Sequence, residues 1–153
     1  MPPPQPQVPT RILVAVSGTE PSHRESSMKA AAYALNLAGT FSAKLLGVCV
    51  VQIPEYIEES TRAPLREELV SKSQATLTEI DGLASEKKVE FSWRVLETSG
   101  AIATAICNLA SKEGIDLVIL GTRGTTSSLT KMMLGSVALG VTNNADCPVL
   151  VVR

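Results

Sequence analysis

Gly121-Thr122-Arg123-Gly124-Thr125-Thr126-Ser127-Ser128-Leu129-Thr130-Lys131-Met132-Met133-Leu134-Gly135-Ser136 is the stretch on which the fold turns. A continuous apolar run, Leu117 to Leu120, precedes it, and a helix-like segment, Val137 to Asn144, follows. A buried strand, a glycine-rich loop and a helix start together make the usual geometry of a phosphate site. Glycines let backbone N–H groups approach an anion, and the helix start adds unpaired N–H groups and a positive dipole end. Ser136 offers a hydroxyl at that helix start and Arg123 a guanidinium fork between the glycines. Gly-x-x-Gly by itself also serves as a plain turn after a strand. The block is not a P-loop, because no Gly-Lys-Ser/Thr follows the glycines. Nor is it a dinucleotide fingerprint, which needs a third glycine three residues after the second.

Working outward, strands alternate with helices. Arg11 to Val16 is a short β-branched apolar run, read as a buried parallel strand. Ser17 to Ser22 is a turn cluster, and Ser22 with Glu25 has capping-box spacing, which predicts a helix to about Ala38 with Gly39 as its stop. Met28, Ala31, Ala32, Leu35 and Ala38 give that helix its apolar stripe. Lys44 to Val51 is a second buried strand. Gln52 to Arg62 is polar and reads as a long loop. Pro64 to Ser85 reads as a second helix with Pro64 in its first turn, its apolar positions Leu65, Leu69, Leu77, Ile80 and Ala84. Val89 to Leu96 alternates apolar and polar residues, as an edge strand does. A third helix spans Ala101 to Lys112 and is closed by Gly114. Asp116 to Leu120 and Pro148 to Val152 supply the fourth and fifth strands. This βαβαβαβαβ order calls for an open parallel five-stranded sheet with helices on both faces, in one α/β domain over residues 10–153. Periodicity leaves the strand order open. Residues 1–9, rich in proline, read as a disordered polyproline-type tail.

Composition narrows the function. The chain has 153 residues, 44% apolar and 19% charged, with a net charge of −1. Those values give no basic surface for nucleic acid, and aromatics at 3% give no stacking platform for single strands. No apolar run reaches the roughly 18 residues of a membrane span. Cys49, Cys107 and Cys147 lack Cys-x-x-Cys spacing and read as buried thiols in a reducing compartment, so the cytoplasm is the expected location. His23, the one histidine, has no metal or triad partners in the pattern and reads as an exposed first-turn residue.

The glycine pattern, Gly135-Ser136 and the terminal strand Cys147-Pro148-Val149-Leu150-Val151-Val152-Arg153 together resemble the universal stress protein family, over about residues 11 to 153. That resemblance implies a Rossmann-like fold of the adenine nucleotide α-hydrolase type, strand order 3-2-1-4-5. Strands one and four would then lie side by side, and Ser17-Gly18 would face Gly121 across one crevice. The resemblance further implies a regulatory protein with ATP or AMP as ligand, Mg accompanying ATP. The backbones of Val16 and Val50 would meet the adenine and Ser17 the ribose. Gly121, Arg123, Gly124, Gly135, Ser136 and Val137 would cradle ribose and phosphates. It also implies a homodimer through strand 148–152. Two departures stand out. Ser17 occupies the place where the family usually has Asp, and the spacer Thr125 to Leu134 holds ten residues where the family has nine.

Those departures favour an alternative, a dimeric interaction module of the same fold without nucleotide. An enzyme is not expected. Ser17-Gly18-x-x-x-Ser22 is similar to the Ser-Gly-Gly-x-Asp-Ser loop of ATP pyrophosphatases, but Thr19 replaces its second glycine and Pro21 its Asp. No paired carboxylates or metal cluster is in sight, and no catalytic residue is assigned. Slow hydrolysis of bound ATP is compatible with this reading.

Overall fold

A computed structural model describes residues 1–4, 7–18, 21–122 and 134–153. Its elements are β1 (Arg11–Ala15), a single 3-10 turn (Pro21–His23), α1 (Arg24–Phe41), β2 (Lys44–Gln52), α2 (Glu59–Glu86), β3 (Phe91–Thr98), α3 (Ile102–Lys112), β4 (Leu117–Gly121), α4 (Ser136–Asn144) and β5 (Val149–Val152). The sheet is parallel with order β3-β2-β1-β4-β5. β1 therefore pairs with β4, Val14 opposite Ile119 and Ala15 opposite Leu120.

The period-two alternation of each strand divides the core in two. Ile12, Val14, Leu45, Cys49 and Ile119 pack towards α1 and α2, with Ala31, Leu35, Leu77 and Ile80. Leu13, Leu46, Val48, Val118 and Leu120 pack towards α3 and α4, with Ile106, Leu109, Ala138 and Val141. Strands buried on both faces must be apolar at every position, which is why they read as runs rather than alternations. β3, at one edge, does alternate: Ser92 and Arg94 are exposed while Phe91, Trp93 and Val95 are half-buried against the α1/α2 layer.

Three sequence expectations are corrected. Ser22 does not cap α1; it lies in the 3-10 turn, and His23 is the N-cap, without a side-chain capping bond. Gly39 does not stop α1, which continues to Phe41 and closes on Ser42 in the left-handed conformation (φ 53°). Its turn is completed by Ala43 N–H donating to the Ala38 carbonyl at 2.9 Å. The loop expected over Gln52–Arg62 is short, because α2 begins at Glu59 and holds Pro64 within the helix. Arg62 donates to the carbonyls of Pro54 (2.9 Å) and Glu55 (3.1 Å), which ties the incoming chain to the new turn and offsets the N–H that Pro64 lacks. Gly114 does close α3, with φ +64°.

The amino ends of β1 and β4 are fastened by Asp116. Its carboxylate accepts from Thr10 N–H (2.9 and 3.1 Å), the Thr10 hydroxyl (2.8 Å) and Arg11 N–H (3.2 Å). Burial works to raise this carboxyl, but those hydrogen bonds outweigh it and hold it below its ordinary value.

Candidate functional site

At the carboxyl ends of the strands, where the winding reverses between β1 and β4, lies a crevice of about 580 Å³. A doubly wound sheet opens such a crevice because successive crossovers leave in opposite directions there. The end of β1 supplies Val16 and Ser17, β2 supplies Val50 and Gln52, and β4 supplies Gly121 and Thr122. Three helices start on it: α1 through His23, Ser26 and Ser27, α3 through Ile102 and Ile106, and α4 through Gly135, Val137 and Ala138. Leu69 of α2 closes one flank.

Of the sequence-derived candidates, Val16, Ser17, Val50, Gly121, Gly135 and Val137 are brought together on these walls. Ser136 opens α4 and is exposed, outside the crevice lining. Arg123 and Gly124 lie outside the described residues, as does the spacer as far as Met133.

Hydrogen bonds fix the rim. Ser17 N–H donates to the Ser27 hydroxyl at 2.8 Å, holding the β1 turn against α1. The Ser26 hydroxyl donates to the Thr122 carbonyl, holding the end of β4 against the same helix. A Cβ built on Gly121 would come within 2.6 Å of the Ser26 carbonyl oxygen, so the first turn of α1 can approach β4 only because that residue is glycine. Gly18 makes a similar approach to α2, where its Cβ would meet Ser73 Cα at 2.6 Å. Beneath that contact the Cys49 thiol lies 3.9 Å from the Ser73 carbonyl. Burial pushes Cys49 up to about 12, against the opposing pull of hydrogen bonds with Ser73 and Gly18. Such a thiol stays protonated and is no nucleophile.

His23, Ser26, Ser27 and Gln52 are among the lining residues that the sequence reading did not single out. His23 is half-buried on the crevice wall rather than exposed. Its signal was available, since it opens the helix that follows the first strand. Ser26 and Ser27 sit in that helix's first turn for the same reason. Gln52 lies two residues past Val50, and its Nε2 donates to the Gly100 carbonyl at 2.7 Å. The described lining contains no Asp, Glu, Lys or Arg. Hydroxyls, one carboxamide, one imidazole and the starts of three helices suit binding of a polar, anionic molecule.

The model of the universal stress protein family matches residues 9–153. Universal stress protein MJ0531 of Methanocaldococcus jannaschii is 33% identical over 146 residues, covering 94% of this chain and 81% of that protein. Among solved structures, universal stress protein UspA from Lactobacillus plantarum superposes with a TM-score of 0.76 at 24% identity, covering 97% of this chain and 100% of that one. A universal stress protein in complex with cAMP has a TM-score of 0.71 at 22% identity, covering 96% and 99%. An Arabidopsis thaliana family member with AMP bound has a TM-score of 0.67 at 19% identity, covering 94% and 91%. At these identities the structural likeness speaks for the fold.

Proposed function

The chain belongs to the universal stress protein family, and we propose that it is a regulatory protein whose crevice between β1 and β4 binds an adenine nucleotide, ATP or AMP. The observation that carries this reading is the convergence of α1 and α4 on one uncharged crevice. Neither helix has a side-chain cap; the start of α4 leaves first-turn N–H groups for phosphate oxygens, and the dipoles of both helices favour an anion. Val16, Val50 and Leu69 all line the crevice, where an adenine ring would find apolar cover. Gly121, against Ser26 of α1, and Gly135, at the start of α4, line the same crevice. Solved relatives bound to cAMP and to AMP support the same ligand class here. Ser17 takes a ribose hydroxyl in this arrangement, and Arg123, Gly124 and Ser136 complete the phosphate cradle. Mg accompanies ATP if ATP is the ligand.

In this reading the protein acts by binding rather than by catalysis. It works in the cytoplasm, where its cysteines stay reduced, with residues 1–9 as a tail outside the domain core. Among the described residues, no helix is long and apolar enough to cross a membrane.

Gly121 favours a second reading, a nucleotide-free interaction module. Its lack of a side chain is fully explained by the approach of Ser26, with no phosphate needed. Calorimetry on protein freed of nucleotide separates the two. ATP or AMP should bind, and Ser17→Asp should tighten binding severalfold, because a carboxylate makes hydrogen bonds roughly twice as strong as a hydroxyl does. No heat with either ligand, and no nucleotide released when freshly purified protein is denatured, would leave the second reading standing.

A further inference from the structure

We propose that His23 binds the anionic part of the crevice's ligand and couples that binding to proton uptake. The inference rests on the nucleotide reading and supplies the positive charge that the described walls otherwise lack. Within the described lining, His23 is the one side chain able to carry a charge at all. It is also the chain's one histidine.

Its place in the fold puts it on the β4 side of the crevice. The backbone of His23 is right-handed helical (φ −96°, ψ −4°) as it enters α1, and Ser26 follows three residues later. Residues three apart on a helix share a face. Ser26 donates to the Thr122 carbonyl at the end of β4, so His23 lies one turn out from that contact. Ser26 also packs against Gly121, which puts His23 on the β4 side of the crevice that Gly135 and Val137 of α4 also line.

The charged groups of the first turns of α1, and those of α2 nearest it, pair with each other, while Glu67, Asp81 and Glu86 of α2 have no ion pair among the described residues. Arg24 is held by both oxygens of Glu79 on α2, at 2.7 and 2.9 Å. Glu25 pairs with Lys29 along α1 at 3.5 Å, and Lys72 with Glu68 along α2 at 2.9 Å. The crevice ends of β1 and β4 and all of α4 carry no charged side chain among the described residues. The His23 side chain forms no hydrogen bond or ion pair with a described residue. Its imidazole is thus free to answer to a ligand.

Histidine changes charge between about pH 5 and 8. An anion beside it favours the protonated form. Linkage then requires the protonated protein to bind that anion more tightly, so affinity falls as pH rises.

The test uses the full, untagged chain, whose single histidine gives one imidazole signal in NMR. Saturating AMP or ATP should move the midpoint of the His23 titration upward, and adenosine, which lacks phosphate, should leave it in place. In calorimetry the affinity should fall about tenfold from about pH 5.5 to pH 8, beyond any change in His23→Gln. That variant reports the ligand's own phosphate ionisation, which lies near pH 6. His23→Lys, charged throughout, should keep tight binding at the higher pH. If nucleotide binds but the ring signal does not move, or moves equally with adenosine, the inference is overturned and the nucleotide reading stands. Identical pH profiles for the parent and His23→Gln would do the same. If neither AMP nor ATP binds at any pH, both are overturned.

Discussion

Gly121 shows how one residue can serve two arguments that predict different things. As part of a phosphate cradle, its substitution would weaken ligand binding and little else. The structure gives it a packing role as well: the Ser26 carbonyl oxygen and carbon would lie 2.6 and 2.9 Å from an added Cβ. Both are backbone atoms of a helix, which cannot swing aside as a side chain tip can. Gly121→Ala should therefore destabilise the protein by about 1 to 3 kcal/mol with no ligand present, read as a lower thermal midpoint. An unchanged midpoint with weakened nucleotide binding would return this glycine to the cradle alone. Asp116 has a different, pH-dependent role. Its carboxyl is held below the ordinary value in the folded state, so its contribution is complete above the unfolded value of about 4 and is lost as pH falls through the lowered folded value. Asp116→Ala should cost about 1 kcal/mol near neutral pH. The gap between variant and parent should narrow as pH falls below about 4, as urea midpoints measured down through the acid range would reveal; a gap independent of pH would assign the loss to packing instead.

At the scale of elements, what the sequence made legible was what burial dictates locally. β1, β2 and β4 could be read because both of their faces are covered, leaving runs such as Ile12-Leu13-Val14 with no polar position. The alternation of Phe91, Trp93 and Val95 with Ser92 and Arg94 likewise marked β3 as an edge. Helix ends were less legible, because distant contacts decide them. Pro64 suits a first turn by its own chemistry, yet α2 starts at Glu59, with Arg62 gripping carbonyls of the preceding loop. Ser22 and Glu25 have the spacing of a capping box, but the chain enters α1 through a 3-10 turn. The crevice divides along the same line. Val16, Ser17, Gly121 and Gly135 follow strand ends and helix starts directly, so strand order alone assembles them. Leu69 and Gln52 reach the crevice through the length of α2 and the length of β2. All the fully buried residues of α2 lie at Ser73 or beyond, so its first half extends past the core, and no local pattern announces which of its residues will flank a ligand.

For the whole molecule, the remaining question is what covers the sheet's last edge. β3 is short of apolar surface on its outer side and carries Arg94, ion-paired to Glu113 at 2.6 Å, as edge strands that avoid pairing tend to do. β5 differs. It has no charged residue, and Val149, Leu150 and Val151 are all half-exposed. Val118 N–H donates to the Pro148 carbonyl and Thr122 N–H to that of Val152, both at 3.0 Å. Alternate residues of a strand aim their backbone groups at opposite edges, so Val149 and Val151 present theirs outward. We propose that a second copy pairs there, antiparallel about a two-fold axis, which makes the contact self-complementary. Val151→Pro tests this without disturbing β4. It removes one outward N–H while Pro148, Leu150 and Val152 keep their places in the β4 ladder, and proline is tolerated where the N–H faces solvent. Light scattering at micromolar concentration should find the parent dimeric and Val151→Pro monomeric with its circular dichroism spectrum unchanged. A monomeric parent would refute the pairing, and a dimer that survives Val151→Pro would move the interface away from β5.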